Sequence, residues 1–459
     1  MVRRDGHRSR PFAGTLALVL TLLGVARGAW AGEGDVPTLG NEAALSAGTV
    51  VAAGRGVGMA WYNPAGLGAN RRARIETSSQ AFVLRLRHVD GGVATGLPDG
   101  ERADDIRSRE IVIIPGATVW AFRVADHVSL ALALFVPSFD EIDMDARSQA
   151  ASPEVAHGQQ IRVQHSQRRY EAGPSVGWEI TPEVRIGASA FVVYDRVARS
   201  SRAWAWGLDL GSENERFVQT DVSESVRSWG TELVAGVQWT PTAHLVLGLA
   251  VRSGQLWLAQ NSEKTAIATH GGTTTGGSQS GDIEFVALDS GVVRPHDPLE
   301  LDVGFAYRFA RGWVALDGVA APARRGGNDE GRRARWGLRA GTRVAVTQNL
   351  VLGGGVYANR STTVVADDFL DFDLDTYGAT FGGELRRPVR LGRDERARTI
   401  VFTPTAALRY ALSIGHAGRM RFDLTDLDSA AGDVITTTGA PVAARVHDLA
   451  LHLGTGVEF

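Results

Sequence analysis

From Asp448 to Phe459 the chain alternates apolar side chains with small or polar ones. Leu449, Leu451, Leu453, Val457 and Phe459 share one parity, and Asp448, His452 and Glu458 share the other. A period of two puts these sets on opposite faces of one strand. The same dyad sets Leu301, Val303, Phe305, Tyr307 and Phe309 against Asp302, Gly304, Ala306 and Arg308, and Trp336, Leu338 and Val344 against Arg335, Arg339 and Arg343. A strand this polarised needs lipid or core on one face, and water or carboxylates on the other. These segments predict an all-β chain built as an antiparallel transmembrane β-barrel, whose strands show lipid only half of their residues.

The amino-terminal residues fit an exported barrel. Arg3, Arg4, Arg8 and Arg10 precede an apolar run from Phe12 to Ala26, and Ala29-Trp30-Ala31 supplies small residues for cleavage. Residues 1–31 therefore predict a signal peptide of the Sec type. No later stretch approaches the ~20 consecutive apolar residues of a spanning helix. The 55 glycines suit a chain of many turns, and the absence of cysteine excludes disulfides, thiolate metal sites and a cysteine nucleophile. A formal charge of −3 with no basic cluster leaves no nucleic-acid footprint. The aromatic carboxy terminus resembles the assembly signal of bacterial outer-membrane proteins, which makes the barrel assembly machinery and outer-membrane lipid, including lipopolysaccharide, the expected partners of a monomer.

Turn signals set the strand count. Short turns are expected at Ala125-Asp126, Thr181-Pro182-Glu183, Thr240-Pro241-Thr242, Ala310-Arg311-Gly312 and Thr347-Gln348-Asn349, with a looser one over 392–396. Long connections are expected over 90–108, 141–159, 207–223, 261–298, 322–332, 363–374 and 416–443. Six short and seven long connections join fourteen strands across residues 73–459 and return both ends to the periplasmic side. Trp120, Phe122, Trp178, Trp239, Phe309 and Trp313 lie near short turns, where an aromatic girdle belongs.

Residues 32–72 do not alternate, are rich in glycine and are too short to fold alone, so they need a host. Within them, Ala44 to Gly68 is a small-residue stretch leading to Asn63-Pro64-Ala65. It resembles the amino-terminal hatch of FadL-type outer-membrane transporters of hydrophobic compounds. Leu134-Phe135-Val136-Pro137-Ser138-Phe139 resembles that family's apolar run into a proline on the third strand, although Phe139-Asp140 stands where the family usually has glycine. The resemblance implies a fourteen-stranded barrel plugged by residues 32–72. It also implies passive passage of long-chain fatty acids or aromatic hydrocarbons, and lateral release through a notch at Pro137 beside Asn63, Pro64 and Ala65. Proline cannot donate to a ladder, which gives the notch a physical cause.

The family's capture groove would fall at Trp204, Trp206, Leu208 and Leu210, and at the loop from Ala268 to Gly281 with Phe285, Val286 and Leu288. Arg308, Arg335, Arg339 and Arg343 either meet a carboxylate ligand or pair with lumenal acids. Asp367, Asp368, Asp371, Asp373 and Asp375 lack the glycine and terminal glutamate of a calcium loop. Gly173-Pro174-Ser175-Val176-Gly177 fits a nucleophile elbow in letters but lies within an alternating strand. No metal, cofactor or enzymatic activity is expected. The alternative to transport is a barrel serving as an envelope scaffold or as a secretion or surface partner.

Overall fold

The dyad segments become strands, and the strands close on themselves. A computed structural model describes residues 38–97, 99–274, 277–279, 283–288, 298–323, 333–362, 372–391, 398–423 and 435–459. The signal-peptide region, the turn at 392–396, and Asp367, Asp368 and Asp371 lie outside the described residues. Strands β1 (Arg74–Leu97), β2 (Gly100–Ala125), β3 (Val128–Ala151), β4 (Val155–Glu179), β5 (Val184–Asp209) and β6 (Glu215–Trp239) run continuously. Strand β7 has two segments, Leu245–Arg252 and Leu256–Thr274, and β8 has three, Gly277–Gln279, Ile283–Leu288 and Glu300–Phe309. The circuit continues through β9 (Gly312–Ala321), β10 (Arg335–Ala345), β11 (Leu350–Asn359), β12 (Phe372–Leu385 and Arg387–Leu391), β13 (Arg398–Asp423) and β14 (Ile435–Glu458). Each strand pairs antiparallel with the next, and β14 pairs back onto β1 from Arg74↔Glu458 to Val89↔Ala444, giving a closed barrel of fourteen strands.

The outer surface carries the apolar parity. Leu132, Leu134, Val192, Leu233, Phe305, Leu408, Leu449 and Leu453 are all exposed, a continuous greasy surface that lipid, not water, can cover. Trp120, Trp178 and Trp239 mark its lower edge beside the short turns. Trp229 lies ten residues from Trp239 on β6 and faces the same way. That spacing is about 33 Å along a strand, or about 25 Å of height at a tilt of about 40°.

The chain departs from the expected loops above that belt. Residues 90–108, 141–159 and 207–223 fall largely within strands, since β1 to β6 are each 24 to 26 residues long. A barrel strand needs only about 9–11 residues to cross the bilayer, so more than half of each rises beyond it. The short strands β9, β10 and β11, of 10 or 11 residues, leave the opposite wall low.

In the projecting part the polarity inverts, with apolar residues inside and charged residues outside. Val89, Val93, Ile106, Ile142, Met144, Ile161, Val163, Phe372, Met420 and Phe422 pack into one buried apolar core between the tall strands. On β3 the inversion comes from one extra residue. Leu132 and Leu134 face lipid, the ladder to β4 shifts register between Phe135 and Ser138, and Ile142 and Met144, of the same parity, then face inward while Asp143 and Asp145 face out. A bulge of one residue turns every following side chain to the other face.

Inside the lower barrel lies the amino-terminal segment, with the short helices α1 (Asn41–Ala44) and α2 (Met59–Tyr62) and a 3-10 turn, Pro64–Ala69. It docks closely against inward glycines of the wall. A Cβ on Gly187 would lie 2.3 Å from the Pro64 carbonyl carbon, one on Gly236 2.0 Å from Asn63 Oδ1, and one on Gly248 2.5 Å from the Val51 oxygen. The alternation therefore uses glycine where the lumen must hold another chain segment. Substituting Gly187 or Gly236 by valine is expected to unseat the segment while leaving the barrel closed. The expected readout is faster proteolysis within residues 38–70 with unchanged heat-modifiable migration of the barrel.

Candidate functional site: a lumenal cavity and a gap in the wall

The β2–β3 ladder runs from Ala125↔Val128 to Ala117↔Phe135 and stops there, although both strands continue upward. Above that point β2 pairs with β1 and β3 pairs with β4, and among the described residues no backbone pairing joins β2 to β3. Sequence explains both edges. Pro115 on β2 and Pro137 on β3 each lack the N–H that a ladder needs, and the bulge at Val136-Pro137 swings the upper part of β3. Higher up, side chains span the space: the Asp143 N–H donates to Glu110 Oε1 at 3.1 Å, and Arg87 reaches Glu110 at 2.6 Å and Asp140 at 2.7 Å. Arg85 joins the same cluster through Asp140 and through Asp448 at 2.8 Å. The opposite side of β1 has no such break. Where it leaves β14, its residues Val93–Gly96 pair in parallel with Met420–Asp423 of β13.

A cavity of about 400 Å³ lies between the amino-terminal segment and the upper apolar core. Ile114, Pro115, Gly116, Val136, Pro137 and Phe139 bring it to both edges of the gap. Ile142, Phe372, Leu374 and Val446 belong both to its lining and to the upper core, so apolar surface continues from the projecting walls into the cavity. Between these two apolar ends the lining is charged. Arg335 Nη1 is 2.8 Å from Glu300 and Arg333 Nη1 is 2.7 Å from Asp373, while Arg169 Nη2 is 3.0 Å from Asp195 and Arg252 pairs with Glu232. Thr38, Leu39 and Trp61 of the amino-terminal segment also line the cavity. Trp61 is held from two sides: its Nε1 donates to Glu171 at 2.9 Å, and the Arg252 guanidinium lies 4.0 Å from the ring centroid.

The expected site residues separate into three places. Asn63, Pro64 and Ala65 lie low in the barrel, against β5 and β6. Asn63 Nδ2 donates to the Val51 and Val237 oxygens at 2.8 and 3.1 Å, and its Oδ1 accepts from the Ala65 N–H at 3.2 Å. These bonds cap the 3-10 turn and tie it to the wall, so Asn63 does not stand beside Pro137. Trp204, Trp206 and Leu208 alternate with Ala203 and Ala205, which are buried in the upper core, so they face away from the lumen on the projecting wall; Leu210 is exposed in the turn beyond. Of the other expected groove, the side chains of Phe285, Val286 and Leu288 lie outside the described residues. Arg335 lines the cavity paired with Glu300. Arg339 is buried opposite Asp317 and beneath Gly48, and Arg343 binds Glu42 and Glu384 at 2.8 and 3.0 Å. Of the four expected arginines, then, two make ion pairs with acids of the lumen. Trp61, Leu39 and the β2 edge at Ile114-Pro115 were not singled out in the sequence. The only signal for them was a second proline in a dyad segment and an indole two residues before Asn63.

The Glu42–Arg343 pair ties the amino-terminal segment to β10. Burial alone would raise the Glu42 carboxyl. The Arg343 guanidinium, with the N–H groups of Arg55 and Gly56 at 2.8 and 2.7 Å, more than offsets this and holds it below the usual carboxylate range. A depressed folded value means that the docked state gains stability above the ordinary carboxylate pKa and loses it as pH falls through the lowered value. Acidification below the ordinary carboxylate range is therefore expected to loosen the segment. Glu42→Gln should weaken docking by about 3 kcal/mol at neutral pH and flatten the acid response, as read by proteolysis of residues 38–70.

No protein-family model and no curated protein matches the chain. Solved structures do. A FadL homologue from Pseudomonas aeruginosa superposes with a TM-score of 0.53 at 13% identity, covering 94% of this chain and 99% of that one. The Pseudomonas putida toluene transporter TodX superposes with a TM-score of 0.51 at 12% identity, covering 94% and 99%. At such identities the likeness is one of fold: this chain has the barrel architecture of the FadL-type structures.

Proposed function

We propose that the protein is an outer-membrane channel for hydrophobic small molecules that delivers its ligand sideways into the membrane. The observation that carries this reading is the interrupted β2–β3 ladder, whose two edges both line the lumenal cavity. In lipid an unpaired strand edge costs several kcal/mol per unsatisfied group, so a break maintained by two prolines and a bulge calls for a use. A greasy ligand would enter through the apolar core between the projecting strands, pass the cavity and leave between Pro115 and Val136. The arginine-acid pairs around the cavity can accommodate a carboxylate or other small polar group, which suits long-chain fatty acids as well as aromatic hydrocarbons. Residues 38–72 serve as the hatch, closing the periplasmic end, and Trp61 and Leu39 present its upper surface to the ligand. Passage is passive, driven by the ligand's own gradient into lipid.

The alternative, a non-transporting scaffold or surface partner, draws support from the projecting wall. A cross-link across the gap separates the two. The chain has no native cysteine, so Pro115→Cys with Val136→Cys provides a unique pair for a short bifunctional maleimide or for oxidation. Closing the gap is expected to reduce uptake of radiolabelled toluene or oleate about tenfold, the equivalent of ~1.4 kcal/mol in the barrier, and reduction of a disulfide should restore it. Full uptake through a quantitatively cross-linked barrel would contradict lateral release.

A further inference from the structure

We propose that the outer face of strands β4 to β6 carries a binding site for the phosphate groups of the outer leaflet's glycolipid, of the lipid A class. The proposal rests on the outer-membrane placement argued above but not on transport.

Two rows of side chains define the site. Tyr170, Tyr194 and Trp229 are direct cross-strand neighbours, with ring centroids 6.3 and 4.6 Å apart along the row. Arg168, Arg196 and Arg227 are also direct neighbours, two residues farther from the short turns on each strand. Both rows point outward, because Asp195 and Ser228, on the other parity, are buried. Trp229 lies one hydrophobic thickness above Trp239, so the aromatic row marks the outer edge of the hydrocarbon. The arginine row stands at the level of lipid headgroups.

The row is costly without an anion. Adjacent strands lie about 4.8 Å apart, and like charges directly opposite one another repel. Acid partners are few: Arg168 has Glu141 at 3.9 Å, both half-exposed, and stacks over Phe139 at 5.1 Å. Arg196 and Arg227 are exposed and have no acid partner among the described residues. By contrast Arg85, Arg87, Arg252 and Arg343, which line the gap and the lumen, each meet a carboxylate. The next row outward is Ser166, Ala198 and Ser225, small side chains that leave a shelf above the guanidiniums, closed at its two ends by Glu141 and Glu263. An aromatic row at the acyl level, a fork of three guanidiniums at the phosphate level and a shelf above suit a phosphorylated sugar headgroup, since guanidinium pairs with phosphate in bidentate geometry.

The test uses the full chain reconstituted in phosphatidylethanolamine nanodiscs and titrated with diphosphoryl lipid A, with bound lipid counted by native mass spectrometry. Arg196→Glu with Arg227→Glu is expected to weaken binding about tenfold or more, as loss of charge-assisted bonds requires. Arg196→Lys with Arg227→Lys should retain most of it, which separates charge from misfolding, and heat-modifiable migration reports the fold of both variants. Dephosphorylated lipid A should bind wild-type protein as weakly as diphosphoryl lipid A binds the glutamate variant. Equal binding by the folded glutamate variant would overturn the proposal, as would equal binding of the dephosphorylated lipid or of phosphatidylglycerol.

Discussion

Hydrocarbon offers the backbone no hydrogen bonds, and the rest of this structure follows from that constraint. A strand in lipid must find a partner on both edges, so the sheet closes, β14 returns to β1, and the alternation of each strand separates lipid from lumen. Against that requirement one interruption stands out. The β2–β3 ladder ends at Ala117↔Phe135, and what bridges the strands higher up is side-chain chemistry among Arg85, Arg87, Glu110 and Asp140. The cavity reaches the wall at the place where the backbone rule is relaxed.

The same small device shapes the outer part of the molecule. The extra residue at Val136-Pro137 keeps the apolar parity of β3 in sequence while reversing its face in space. Below it, leucines meet lipid; above it, Ile142 and Met144 join a core that would otherwise have been a water-filled mouth. The projecting walls are thus held together by the same dyad pattern that holds the barrel in the membrane. The lower side of that core, at Ile142, Phe372, Leu374 and Val446, is also apolar lining of the cavity.

Much of this was legible in the sequence, because lipid-facing dyads and short turns are local. The tail at Leu449 to Phe459, the turns at Thr181-Pro182-Glu183 and Thr240-Pro241-Thr242, and the total of fourteen strands follow from periodicity and turn chemistry alone. In sequence the projecting strands resemble loops, because alternation with charged residues outside, as in Asp143, Asp145 and Arg147, looks like solvated connection when the inward partners are not known. Trp204 and Trp206 were expected in a groove, but a period of two does not say which face is the lumen once a wall rises out of the membrane. The wall position of Asn63 depends on Gly236 and Val237, residues more than 170 positions away, which no local pattern reveals. Pro137 was visible as a breaker; that Pro115 forms the other edge needed the register between strands.

In the proposed route the ligand leaves through the gap between β2 and β3. The most direct measurement is a crystal structure of the protein with an iodinated alkane or aromatic, in which anomalous scattering locates the ligand. The expected result is a series of sites running from the cavity beside Trp61 to the space between Pro115 and Val136, in contact with the exposed Ile113 side. Sites that instead run past Asn63 to the periplasmic end, leaving the gap unoccupied, would rule out the gap as the exit.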